Sequence, residues 1–525
     1  MRTRFEEATL LILGLLAIGS WIVLTRWYSL WENRNNTHFA FEKIPGRFDS
    51  PIIQNTALLF LQLSLIYFVG YLLIKSARRI TIPIKLGIAL LVVGPAVANI
   101  LIYPVGALDV FNYMIELKLA FHYDQNPYLV TFEAFRSDPF ALPAFLVNVP
   151  LFYGPAWLLL SALPALVVGF DDFVSLLIAL KIFNLVLLGL TAVAIFKYQE
   201  NERRGWLAAY VLMANPLVLF EGVANGHNDV MMTLFLILAL LALKRRSWPA
   251  WPFLVASGLV KFFTATLIPL FAVVMLLGGW GRRKFAVSTL VSLVVVVALA
   301  APFWADGKMV TGLVKGTATS QEMDHVSVLS LAQQFRWQER VAGGDQPWRA
   351  ALLDPRPPRG PLTTEDRAPV QRIFAGLFAV LALVIAWTVK RGRSFEAGVV
   401  DTLMLFSLLL TNLYPWYLIP LFAVLALRQQ RLGMSYLFVA TALGLLYYPM
   451  YVYAHFTAGW MKFHVHLFLA LFLTVPMLLF LALEVVGFGF ARVTGTGRNR
   501  ESAVDAPVVG ETGRGGGLGA AGRSV

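Results

Sequence analysis

The chain has 525 residues, 58% of them hydrophobic and 14% charged, with a mean hydropathy of +0.69. Soluble domains run about half apolar and about a quarter charged, so this composition excludes a soluble globular protein and predicts an all-α polytopic membrane protein. The net charge of +13 does not indicate nucleic acid as a partner: Lys and Arg gather in short runs between apolar stretches, at 75–79, 244–246, 282–284 and 390–393, as the positive-inside rule describes. The absence of cysteine excludes disulfides and thiolate metal sites.

The first apolar run, Ala8 to Thr25, follows Arg2 and Arg4 and carries no small-residue cleavage site, so it is read as a retained span and not a signal peptide. Further runs long enough to cross about 30 Å of hydrocarbon lie near 57–75, 83–103, 173–196, 206–221, 230–243, 286–303, 370–389, 397–412, 416–427, 434–453 and 463–486. That predicts about twelve transmembrane helices. Two other apolar runs are expected to dip in and return. Residues 253–279 have basic clusters on both sides and are too short for two spans, which predicts a broken or re-entrant hairpin with Lys261 inside protein. Residues 153–169, counted as a crossing, would put the basic stretch 197–205 outside, so they are read as re-entrant from the outer side.

This topology puts both termini in the cytoplasm and three loops outside, 26–55, 104–152 and 304–369. The membrane domain covers 1–490, and 491–525 has too few apolar groups to pack and is expected to be a disordered cytoplasmic tail.

In the loop 104–152, a helix over Ala107 to Phe121 would place Asp109, Asn112, Tyr113 and Glu116 on one face and Val110, Met114 and Leu117 on the other. This reads as an amphipathic helix in the membrane interface, with its polar face toward a cavity or water. A merely solvated polar face is the alternative. The stretch Glu221 to Met232, EGVANGHNDVMM, brings Asn225, His227, Asn228 and Asp229 to the same outer boundary. Asn228 or Asp229 could simply cap the following helix, but a cap needs one such residue and four crowd here.

Five stretches in order resemble a known family: DVFNYMIELKLAFHYDQNPY, VPLFYGPAWLLLSALPAL, NPLVLFEGVANGHNDVMMTLFLILALLAL, GLVKFFTATLIPLF and TNLYPWYLIPLFAVLAL. They are similar to the bacterial polyprenol-phosphate-mannose-dependent mannosyltransferases of lipoglycan assembly, within the GT-C class of integral membrane glycosyltransferases. The resemblance covers roughly 8–490. It departs at Asp109, a single carboxylate before VFNY where the family carries a doubled one, and in 304–369, which matches nothing recognisable.

The resemblance implies transfer of a hexose, mannose by the family, from a polyprenyl-phosphate sugar to a glycan or glycolipid acceptor at the outer face of the plasma membrane, with inversion. Such a transfer must deprotonate the attacking hydroxyl, whereas the phosphate leaves as a stable anion, so one carboxylate base suffices. Asp109 matches the family's acidic loop position and is the expected base. Expected substrate-binding residues are Asn112, Tyr113, Glu116, Tyr153, Asn225, His227, Asn228, Asp229, Tyr414 and Trp416. Lys462 and His464, with His466 or Arg372, are candidates for the donor phosphate, although each also suits an interfacial anchor.

Lys261, placed nearer the cytoplasm by this topology, is left out of the site. Asp109, Glu116, Asp124, Asp229 and the histidines could hold a divalent ion, but no spacing forms a recognisable ligand set, so no cofactor is expected. Two other readings stay open: a secondary transporter or lipid flippase, which the number of spans and Lys261 would suit, and a protein O-mannosyltransferase.

Overall fold

The computed structural model describes residues 2–34, 50–277, 280–320, 364–410, 412–454 and 462–493, with a few positions between 327 and 333. The expected tail and most of the 304–369 loop beyond residue 320 lie outside the described residues. All regular structure among them is helical, and an isolated bridge joins Ser29 to Ile102.

Three long helices come first, α1 (Arg2–Trp27), α2 (Ser50–Ser76) and α3 (Ile82–Leu101), with α1 packed along α3. The short α4 (Asp109–Phe121) and α5 (Pro155–Val168) precede the long α6 (Phe173–Tyr198). Side-chain caps set several starts: Thr81 accepts from the Ile84 N–H, Asp172 from Ser175 and Asn201 from Arg204.

The next helix is broken. α7 (Glu202–Met213) ends before Asn215-Pro216, where Asn215 caps α8 (Pro216–Leu219) by accepting from the N–H groups of Leu217 and Val218. The two parts meet at 52°. One proline accounts for the bend, because it cannot continue the α7 hydrogen-bond ladder. A π turn, Phe220–Ala224, follows α8 and delivers the chain to α9 (Asp229–Lys244).

α10 (Ala250–Val260) packs against α9 and stops at Lys261, whose backbone is extended (φ −152°, ψ 128°). The chain then folds back on itself. Ser257 Oγ lies 2.8 Å from Thr264 Oγ1, and a Cβ added at Gly258 would touch the Ala265 Cβ at 3.4 Å, both across the Lys261 break. The returning segment, Phe262–Leu267 and α11 (Ile268–Leu277), leads to α12 (Arg282–Ala300), where the Ser288 hydroxyl donates to the Trp248 carbonyl just before α10.

After α13 (Lys308–Ser320) come α14 (Thr364–Lys390), α15 (Phe395–Leu408), α16 (Leu418–Arg428), α17 (Arg431–Val452) and α18 (Lys462–Val493). By contact the chain divides into a body, 1–477, and a C-terminal piece, 478–525; every site described below belongs to the first.

Among the described residues, seven helices are long and apolar enough to cross a membrane, eight if the bent pair α7–α8 is one span. Several of the twelve expected runs form shorter helices instead, α16 with 11 residues, α15 with 14 and α9 with 16 among them. Sixteen residues of helix rise about 24 Å. Hydropathy counts apolar residues, but it does not register the breaks that divide them.

α4 begins two residues later than expected and differs in its surroundings. Val110 through Leu119 are all buried, so protein packs against both faces and the helix does not lie open to water. Its cover comes partly from its own loop: Asn112 Oδ1 accepts from the N–H groups of Phe145 and Leu146, and Lys118 forms a buried ion pair with Asp138 at 2.7 Å.

Candidate active site

Asp109 stands at the N-terminus of α4, half-buried. The Tyr153 hydroxyl donates to its Oδ1 at 3.1 Å, and the Tyr113 hydroxyl, one turn along α4, lies 3.4 Å from that of Tyr153. Two contacts place these side chains. The fully buried Lys181 ammonium donates to the Ile102 carbonyl, holding the chain that leads into α4. Gly154, next to Tyr153, donates its N–H to Val260 O at 3.1 Å, and any Cβ there would fall 1.9 Å from Leu259 O. The missing side chain is what lets Tyr153 approach the break in α10.

The loop 225–228 is a second wall. Gly226 has φ +75°, and a Cβ on it would meet Val110 of α4 at 2.9 Å. Asn184 of α6 donates its amide to Gly222 O at 2.9 Å and to His227 O at 3.1 Å, which ties the loop to the helix interior about 16 Å along from Phe173.

The capping alternative for this loop does not describe its bonds. Asn228 occupies the N-cap position of α9 but makes no side-chain cap bond, and neither its Oδ1 nor its Nδ2 has a hydrogen-bond partner. It lines a small cleft with Tyr113, Trp157, Ser161 and Asn184.

Asp229 pairs with Lys261. The ammonium lies 3.1 Å and 2.9 Å from the two carboxylate oxygens, with Asp229 fully buried and the Lys261 side chain 14% exposed. Lys261 Nζ also lies 4.4 Å from the Tyr417 ring centre and 5.9 Å from that of Tyr153. The expectation that Lys261 sits away from the loop-borne polar groups is therefore corrected. α10 carries the ammonium up beside α9 to the very start of that helix, and the fold-back leaves it there.

The carboxylates share an electrostatic neighbourhood. Asp109 and Asp229 both act on the Tyr113 hydroxyl, and Asp109 as well as Asp229 acts on Lys261. Glu116, fully enclosed on α4, is pushed well above the usual carboxylate range, first by burial and then by the charge of Asp109. Its Oε2 has no hydrogen-bond partner.

A third cluster adjoins these. Glu221, on the π turn, accepts from the Tyr448 hydroxyl at 2.8 Å and from Asn225 Nδ2 at 2.9 Å, and its Oε2 lies 3.4 Å from His227 Nε2. Asn225 Oδ1 in turn accepts from the Gly106 N–H, three residues before Asp109. The His227 ring stacks on Trp416, with centres 4.1 Å apart and planes at 19°, and Trp416 stacks on Tyr414 at 4.4 Å.

The structure thus brings together Asp109, Tyr113, Tyr153 and Asp229, and beside them Asn225, His227, Asn228, Trp416 and Tyr414. Asn112 is engaged with the backbone of its own loop. The side chains of Lys462, His464 and His466 lie outside the described residues. Sequence reasoning missed Lys261, Glu221, Tyr417 and Tyr448. For Lys261 the signal was present, a lone charge in an apolar run. Glu221 looks like the ordinary end of a span, and only the π turn aims it inward.

Among the described residues, no group of three or more His, Asp or Glu side chains is arranged to hold a metal ion. Residues 71–278 match the family model of the alpha-(1->6)-mannopyranosyltransferase N-terminal domain, MptA_B family. That span contains Asp109, Tyr153, Glu221, His227, Asp229 and Lys261. No curated protein and no solved structure matches the chain.

Proposed function

We propose that this chain, whose residues 71–278 match that mannosyltransferase family model, transfers mannose from a polyprenyl-phosphate donor to a hydroxyl of a lipid-linked glycan, at the outer face of the plasma membrane. The observation that supports this reading best is Asp109: a carboxylate within the family-matched segment, oriented by Tyr153 and adjoining the Asp229–Lys261 pair.

Asp109 acts as the general base. The acceptor oxygen attacks the anomeric carbon as its proton passes to Asp109, and the bond from that carbon to the phosphate oxygen breaks. The leaving group departs as a polyprenyl phosphate and needs no acid, and attack from the opposite face inverts the anomeric centre. Tyr414, the half-buried end of the ring stack with Trp416 and His227, offers its ring to a sugar, and the unpartnered Asn228 amide offers both a donor and an acceptor.

Purified protein given a polyprenyl-phosphate mannose and a mannose-containing glycolipid acceptor should extend the acceptor by one mannose. Transfer from a nucleotide sugar but not from the polyprenyl donor would refute the donor assignment.

A further inference from the structure

We infer that Lys261 is the cation that receives the donor's phosphate, and that Asp229 is its resting partner, released when the phosphate binds. The inference rests on the polyprenyl-phosphate reading and adds to it the group that recognises the anion.

Three observations lead there. First, Lys261 is the only cation among the described residues that touches the Asp109–Tyr153–Asp229 cluster, and Tyr153 links it to the base: its hydroxyl holds Asp109 while its ring faces the ammonium. A phosphate on Lys261 would then leave the attached sugar near Asp109.

Second, the ammonium is not saturated. Two of its hydrogen bonds go to Asp229, and no third acceptor binds it among the described residues. The Lys261 side chain keeps 14% of its surface exposed while Asp229 is sealed. Accessible donor capacity therefore lies on the lysine side of the pair.

Third, the pair is a poor device for stability alone. Desolvating two charges costs about as much as their attraction returns, so apolar residues of similar volume would hold α9 against α10 as well. Here the pair also coincides with a helix break, where Lys261 leaves the helical ladder with an extended backbone. An ammonium held by one carboxylate is poised for exchange: the phosphodiester of an arriving donor matches Asp229 in charge and in free oxygens, and the polyprenyl phosphate left after transfer carries more of both. The Tyr417 ring at 4.4 Å keeps the cation in place through the exchange.

The test is binding of polyprenyl phosphate, against the uncharged polyprenol, to the full-length protein in phosphatidylcholine nanodiscs. The wild type should prefer the phosphate by at least about tenfold, which corresponds to about 1.4 kcal/mol. Lys261→Met should lose that preference while binding polyprenol unchanged, and Lys261→Arg should keep most of it. Asp229→Asn should bind the phosphate as tightly as wild type or more tightly, because the competitor for the ammonium has lost its charge.

This last result separates the proposal from a structural salt bridge, for which removal of either partner does similar damage. Should Lys261→Met not fold, because it strands a buried carboxylate, the double variant Lys261→Met/Asp229→Asn removes both charges; it should fold and show no preference. Phosphatidylglycerol added at the same mole fraction should not displace the polyprenyl phosphate.

Equal phosphate preference in wild type and Lys261→Met would overturn the assignment while leaving the donor reading intact. Equal losses in Asp229→Asn and Lys261→Met would overturn the exchange, and displacement by phosphatidylglycerol would mark a general anionic-lipid site. A wild type that binds polyprenol and its phosphate alike would overturn both the proposal and the donor reading on which it rests.

Discussion

The Tyr153 hydroxyl donates to Asp109 Oδ1 at 3.1 Å, so the residue that orients the proposed base comes from a different segment of the chain, just before α5. Asp109→Asn preserves shape and hydrogen bonding but removes the base, and mannose transfer should fall by roughly 10² to 10⁴ with donor binding kept. Tyr153→Phe leaves the base in place but unoriented and should cost about tenfold. Single-turnover rates on the two variants provide the comparison. An Asp109→Asn enzyme that turns over at the wild-type rate would move the base elsewhere.

Glu116 gives a pH signature. Its carboxyl is raised in the folded protein, so the native state keeps a proton that the unfolded chain releases above about pH 4.3. Native stability therefore falls as pH rises from there toward the raised native value. Glu116→Gln removes this loss. Its Tm should exceed that of wild type at pH 7.5, with the gap closing toward pH 4. Parallel pH curves for the two proteins would contradict the buried, protonated assignment.

Gly154→Ala would put a Cβ 1.9 Å from the Leu259 carbonyl oxygen, so either α5 or the Lys261 turn must move. Transfer activity and Tm should both drop. Gly189→Ala is the control, since its Cβ would meet nothing within 4 Å. Gly226→Ala should cost at least about 1–2 kcal/mol from its positive φ alone, before the contact with Val110 is counted.

The membrane topology is testable because the native chain has no cysteine. Single cysteines at 125 and 200, probed in intact cells with an impermeant thiol reagent, should label at 125 and not at 200. The reverse pattern would invert the map and carry the proposed site to the cytoplasmic side.

Much of the architecture was legible from periodicity and breaks. The α4 helix was visible in the spacing of Asp109, Asn112, Tyr113 and Glu116, because one turn repeats every 3.6 residues whatever surrounds it. Its enclosure was not visible, because burial of a polar face depends on partners such as the Phe145 and Leu146 N–H groups, more than thirty residues away. The bend at Asn215-Pro216 could have been predicted from its proline, yet the π turn that aims Glu221 toward Tyr448 has no sequence period of its own. Lys261 was visible as an anomaly, but its partner was not: the pairing with Asp229 spans 32 positions and depends on how far α10 climbs beside α9.

That climb makes α10 a ruler. Its eleven residues, Ala250–Val260, set the height and the bearing at which Lys261 arrives. Adding one residue to the helix would lift the ammonium about 1.5 Å and swing it about 100° around the axis, off Asp229 and off the Tyr417 ring. Side chains on the outer surface of α10 can vary with little effect on the pair, but the number of residues in the helix cannot. Among homologues, insertions and deletions should therefore be absent between 250 and 261 even where residue identities drift.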